Sequence, residues 1–246
     1  MIRSETRERI ARIRFDRPEK KNAITAEMYT QLAEALAAAD ADAEVRAVLL
    51  HGSAECFTAG NDVADFLKRA PGGEGSPTWR LFDVLPSLQK PIVAAVGGPA
   101  VGIGSTLLLH CDLVYAASNA RFQLPFVPLG IVPEFGSTLL LPMLAGYQRA
   151  AELLLLGQPF GAQKAYEVGM VTEVVAPEEL MARAEGTAAT LAALPPESLR
   201  LTKKLLKSTP VRERIMEEGR LFLERLRSPE AKEAMTAFLE KRKPRF

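Results

Sequence analysis

Two cysteines and two histidines are all that this chain of 246 residues offers to a metal or a disulfide. No zinc or disulfide spacing can be assembled from Cys56, Cys111, His51 and His110, so no metal is expected. Charge of one sign is also missing. The 31 Lys and Arg against 30 Asp and Glu leave +1, which gives no global field to draw nucleic acid or an anionic membrane. No run of about 18 apolar residues occurs. The opening segment 1–15 carries charges where a signal peptide needs an apolar stretch, so a cytoplasmic location is expected. Absent too are a Gly-Xaa-Ser-Xaa-Gly elbow, the Gly-Lys pair of a P-loop and the third glycine of a dinucleotide fingerprint, whose place after Gly102 and Gly104 is taken by Leu107. Serine hydrolysis, ATP and NAD chemistry therefore have no foothold.

What is present is an ordinary folded composition, 48% apolar and 25% charged, which excludes disorder. A chain of this length buries roughly 70–75% of its unfolded surface without staples. Short β-rich runs alternate with helical stretches over the first 120 residues, the pattern of an α/β fold. Residues 9–15 alternate polar with apolar and suit a half-exposed strand, whereas the apolar runs at 45–50, 91–96 and 112–117 suit strands covered on both faces by helices. Thr25 offers an N-cap to an alanine-rich helix reaching Asp40. Residues 67–78, rich in Gly, Pro and charge, read as a mobile loop. From about 135 the pattern is helical, broken by a strand candidate at 170–175. The expected organisation is an α/β core over 1–195 and a helical subdomain over 196–246. Within the latter, residues 203–246 hold 13 Lys or Arg against 7 Glu, either a solvated helix surface or a basic face with a ligand.

Three short segments carry candidate chemistry. The glycine cluster at 97–105 follows a buried strand and precedes an apolar run, so it is either a structural turn or a place where backbone amides at a helix start meet an anion. The segment 59–62 is a second such place, where Asn61 can adopt unusual backbone angles and Asp62 can cap the next helix. If the amides of Asn61 and Ile103 converge they form an oxyanion hole, worth about 3 kcal/mol per donor. The third segment is 133–137. There Pro133 and Glu134 are what a helix start prefers, yet Glu134 also lies among Phe122, Phe126, Leu129 and Ile131, and desolvation would raise its pKa toward that of a general base. His51 and His110 read as core or strand-edge histidines and Cys111 as a small core residue.

The segments Arg17–Ile24, Phe57–Asp62, Lys90–Ser105 and the stretch from Cys111 to Ser137 resemble, in order and spacing, the crotonase or enoyl-CoA hydratase/isomerase superfamily. The resemblance covers nearly the whole chain. It implies a crotonase-like fold of repeated ββα units, a C-terminal helical region that packs in homotrimers or hexamers, and an acyl-CoA thioester as substrate, coenzyme A entering as part of it and no separate cofactor. By matched position it places the oxyanion-hole amides on Asn61 and Ile103, with Gly102 beside them, and the adenine and pantetheine contacts on Phe57, Ala59, Gly60, Asp62 and Val63. Lys241 and Arg242 become candidates for the CoA phosphates, and Asp112 a structural aspartate. The two glutamates that hydratases of this superfamily carry fall here on Thr106 and Phe126, so paired-carboxylate hydration looks disabled. Glu134 stands where Δ3,Δ2-enoyl-CoA isomerases of the peroxisomal type carry a single catalytic glutamate. The expected activity is double-bond migration, with Glu134 moving a proton from C2 to C4 in a pocket walled by Phe126 and Phe135. The alternatives are an enoyl-CoA hydratase or other acyl-CoA lyase, or a homologue that binds CoA thioesters without catalysis.

Overall fold

A computed structural model describes residues 1–68, 73, 75–207 and 210–246. The loop expected at 67–78 falls largely outside them. Six strands form the main sheet in the order β1 (Ile2–Arg7), β2 (Ile10–Phe15), β3 (Ala47–His51), β4 (Ile92–Val96), β6 (Leu113–Ala117) and β9 (Glu173–Val175). A smaller sheet joins β5 (Pro99–Val101), β7 (Arg121–Gln123) and β8 (Phe160–Gly161). Among the described residues, only the β1–β2 and β7–β8 pairs are antiparallel. The chain leaves β4 for β5, and β6 for β7, within a few residues each time, so successive strand pairs step from one sheet to the other before a helix follows.

The apolar runs are buried on both faces, as their lack of alternation requires. Val48, Leu50, Ala94, Val96, Val114 and Ala116 face one core, to which α1 (Ala26–Ala41) and α3 (Pro77–Ser87) contribute Leu32, Leu36, Leu81 and Leu85, with the short α2 (Val63–Lys68) between these two helices in the chain. Their neighbours Ala47, Leu49, Val93, Ala95, Tyr115 and Ala117 face a second core. Four helices lie between, α4 (Ile103–Thr106), α5 (Ser137–Ala145), α6 (Tyr147–Leu156) and α7 (Ala162–Glu167). After them α8 (Leu180–Ala193) closes the second core with Leu180, Ala184 and Ala188. Strand β2 is less exposed than its alternation implies, because α8 roofs its polar side and Glu185 accepts from Arg12 at 3.3 Å. Thr25 caps α1, accepting from the Met28 amide at 3.3 Å.

Three helices end the chain, α9 (Pro196–Leu206), α10 (Val211–Leu226) and α11 (Pro229–Leu239). Ile215, Phe222, Ala231 and Met235 from α10 and α11 belong to the same cluster as the sheet side chains. Helix α9 is tied down by Lys203, which donates to the Lys90 carbonyl at 2.6 Å and to Asp112 at 2.7 Å, while Asp112 also accepts the Ile92 amide at 2.7 Å. Among the described residues no helix is long and apolar enough to cross a membrane, and no group of three metal-ligating side chains is found.

Candidate active site

The segment 58–62 is held from three sides. Buried Asn22 donates to the Cys56 and Phe57 carbonyls at 3.0 Å each and accepts the Arg17 amide at 2.8 Å. Thr58 pairs with β5, its amide donating to the Pro99 carbonyl at 2.9 Å and its carbonyl accepting from Val101 at 3.1 Å. Beyond it, Ile24 donates to the Gly60 carbonyl and accepts from the Asp62 amide, a bridge that leaves the Asn61 amide facing away from Ile24. Gly60, not Asn61, carries the unusual backbone angle expected here, at φ +86°. A side chain there would also meet the Val101 carbonyl at 2.6 Å. Asp62 caps α2, accepting the Asp65 amide at 3.1 Å, and is paired with Arg17 at 2.8 Å, which with its cap bonds holds its carboxyl below the usual range against a partial burial effect.

Three residues past Ala100, which bridges to Thr58, the glycine cluster turns into α4. Gly102 adopts φ +55°, ψ −118°, a conformation that L side chains rarely reach, and its amide donates to the Gln123 carbonyl at 2.9 Å. Its carbonyl accepts from Ser105 and Thr106, which leaves the Ile103 amide as the first free donor of the helix. Among the described residues neither the Asn61 nor the Ile103 amide has a protein acceptor, and both residues line one cavity of about 590 Å³.

That cavity runs between the two loops and the C-terminal helices. Ala59, Gly60, Asp62, Val63 and Gly102 line it with Asn61 and Ile103, Phe126 forms part of its wall, and α10 and α11 add Phe222, Met235 and Phe238. Phe57 does not line it, being fully buried with its ring edge-on to Phe15 at 5.2 Å. Phe135 is likewise in the core, stacked on Phe82 at 4.2 Å, so it is no wall of the pocket. Arg242 reaches the rim, but Glu233 and Glu240 hold its guanidinium at 2.6 Å each. Lys241 is exposed and outside the lining.

Glu134 is not the first-turn residue its Pro-Glu context implies. Helix α5 begins at Ser137, and between them Phe135 (φ +61°) and Gly136 (φ +73°) form a left-handed turn. The carboxylate is 4% exposed and lies outside the cavity lining, with Oε1 lacking a partner among the described residues. Burial, helped by the nearby charge of Glu218, pushes its pKa up to about 8. Two residues that composition could not single out act on it through their charge or surroundings. The Tyr29 hydroxyl donates to Asn61 Oδ1 at 2.7 Å, and its pKa is raised by burial and then by the charge of Glu134. Glu218, buried on α10, accepts the amides of Gly136 (2.6 Å) and Thr138 (2.8 Å) and the Thr138 hydroxyl (2.5 Å). The one hint of Glu218 in the sequence is the mid-helix glycine after it, where a side chain would meet the Trp79 ring at 2.4 Å.

His110 is buried, and Cys111 is partly buried against the core. Burial lowers His110 to about 3, its Nε2 donating to the Phe135 carbonyl at 2.8 Å, and raises the Cys111 thiol to about 12. Thr106 is buried, and Phe126 is part of the cavity wall.

A family profile described as enoyl-CoA hydratase/isomerase matches residues 5–246. The chain is 37% identical to 1,2-epoxyphenylacetyl-CoA isomerase of Escherichia coli (strain K12), over 100% of this chain and 97% of that protein. It is 34% identical to crotonyl-CoA hydratase of Syntrophomonas wolfei, over 98% and 96%. The crystal structure of an enoyl-CoA hydratase/isomerase from Pseudoalteromonas atlantica T6c superposes with a TM-score of 0.95 at 39% identity, covering 100% of this chain and 99% of that one.

Proposed function

The chain belongs to the enoyl-CoA hydratase/isomerase family, and from that premise we propose that it moves a double bond within an enoyl-CoA thioester, with Glu134 carrying the proton. The thioester oxygen accepts from the Asn61 and Ile103 amides, which meet the negative charge that develops there when C2 loses a proton. Glu134 takes that proton from a 3-enoyl chain. The electron pair of the broken C2–H bond first makes the C1–C2 double bond of the dienolate; as the carbonyl re-forms, that pair becomes the C2–C3 double bond and the former C3–C4 π pair takes the proton at C4. No water is consumed and no group is lost. A carboxylate whose pKa stands near 8 is a stronger base than an exposed one, which suits removal of a weakly acidic proton. The observation that carries this reading is a buried acid with an unpartnered oxygen, whose charge acts on the Tyr29 hydroxyl that donates to Asn61, a residue whose own amide is free. It requires the acyl segment to enter beyond the described cavity toward Glu134.

A second reading, hydration of a 2-enoyl-CoA or another lyase reaction, is favoured by the near full-length similarity to a crotonyl-CoA hydratase. A third, CoA-thioester binding without turnover, is favoured by the position of Glu134 outside the cavity lining. A panel of acyl-CoA thioesters assayed in parallel for double-bond migration and water addition separates the three. Migration of 3-enoyl-CoA that vanishes in Glu134→Gln supports the proposal. Hydration of crotonyl-CoA as the faster activity, or tight binding with no turnover, overturns it.

The same reading includes a trimer or hexamer in the cytoplasm. Exposed Met143, Leu144, Tyr147, Leu201, Leu205 and Leu206 are apolar surface that a second copy would cover. Light scattering that reports a 26.8 kDa monomer would count against assembly.

A further inference from the structure

We infer that Glu218 on α10 is a positioning residue for Glu134, gripping the 136–138 backbone so that the left-handed turn aims the Glu134 carboxyl, and bringing a second carboxyl near it. The inference rests on Glu134 being the proton carrier. Both oxygens of Glu218 accept hydrogen bonds, one from the Gly136 amide and the other from the amide and hydroxyl of Thr138, a set of three donors that complements the ionised form. The clamped segment begins two residues after Glu134 and contains Gly136, while Phe135 between them holds φ +61°, a conformation that persists in a non-glycine residue only where its surroundings impose it.

A cap for α5 does not by itself call for a buried carboxylate. A serine or asparagine satisfies free helix amides without placing a second acid near Glu134 in a site that water does not reach. Burial raises the Glu218 pKa and its three donors oppose that rise, so the clamp that holds the turn also favours the charged form of Glu218.

The groups that face this pair are few. From α10 Arg214 lies 3.4 Å from the Thr138 hydroxyl while also pairing with Glu217. Tyr29 comes from α1, Ser137 and Thr138 from α5, and His110, kept neutral by burial, from the turn after α4. From α3 come Trp79, against Gly219, and Asp83, paired at the surface with Arg212.

Glu218→Gln keeps the shape and removes the charge. Titration of Glu134 in the free enzyme, followed by the infrared stretch of its protonated carboxyl and assigned by its absence in Glu134→Gln, is expected to move about one pH unit toward acid. The rising limb of kcat against pH for 3-enoyl-CoA should move with it, while KM stays within about twofold and kcat falls. A titration that stays in place while only thermal stability drops would overturn the inference and reduce Glu218 to a cap. A titration that moves while the kinetic limb does not would uphold the effect of Glu218 on Glu134 and refute Glu134 as the proton carrier. If Glu218→Gln does not fold, Thr138→Val removes only the hydroxyl donor. Glu218 then holds its proton more readily, and the Glu134 titration must shift in the same direction to a smaller extent. No shift in that variant overturns the inference.

Discussion

Glu134→Gln should stabilise the fold while abolishing turnover, by an amount that depends on pH in a calculable way. In the unfolded chain a glutamate titrates near 4.5, whereas in the fold burial and Glu218 hold Glu134 up to about 8. A folded-state pKa above the unfolded one means that the native state keeps a proton the unfolded state releases. The wild type therefore has its full stability below pH 4.5, loses it progressively as pH rises, and reaches a constant deficit above pH 8. At about 1.4 kcal/mol per pH unit the deficit approaches about 5 kcal/mol, of which about 4 kcal/mol develops between pH 5 and pH 9. The side chain is almost wholly buried, so little of this is screened by solvent. Glutamine removes the titration and hence the deficit. Urea unfolding of wild type and Glu134→Gln at both pH values measures it, the variant gaining on the wild type by several kcal/mol at pH 9. A difference that does not change with pH would refute the reasoning, since it would mean that Glu134 titrates as an exposed acid.

Other outcomes follow from the same geometry. With Glu134 as the base, kcat/KM for a 3-enoyl-CoA should rise about tenfold per pH unit up to about pH 8 and then level. A profile that is flat from pH 6 to 9 would exclude that role. Tyr29→Phe deletes the 2.7 Å bond to Asn61 and should lower kcat about tenfold with a smaller effect on KM, measured by steady-state kinetics. Gly60→Ala must adopt φ +86° and press on the Val101 carbonyl, so it should cost about 1–3 kcal/mol of stability by chemical denaturation and lose most activity. Lys203→Met leaves Asp112 without its closest cation and should destabilise by about 3 kcal/mol in urea while leaving the kinetics of folded enzyme unchanged.

Much of the fold was legible because the strands that matter announce themselves. Uninterrupted apolar runs become β3, β4 and β6, covered on both faces, and Thr25 caps α1. The hairpin of β1 and β2 was hidden because its two-residue turn places Glu8 and Arg9 at φ +53° and +63°, where a sequence reader looks for asparagine and glycine. Strand β8 is two residues long and leaves no period to read. At the site, the two loops and the buried acid were legible as local chemistry. Which side chains face the cavity was not, because that depends on packing between distant segments. Phe57 and Phe135 look like pocket walls in the sequence and turn out to be core, while Phe222 and Met235 look like ordinary helix residues and line the cavity. Arg242 reads as a free cation until Glu233 and Glu240 are seen around it. Glu218 lies 84 residues beyond Glu134 in a charged helix, and only the fold brings the two carboxyls near one another.

Isotope transfer tests most directly whether one enclosed carboxyl carries the proton between carbons. A 3-enoyl-CoA bearing deuterium at C2 is turned over briefly in ordinary water and the 2-enoyl product is analysed by mass spectrometry and NMR. Deuterium recovered at C4, and lost together with all turnover in Glu134→Gln, is the result this account predicts. Migration that continues in Glu134→Gln, with C4 receiving only solvent protium, would contradict it.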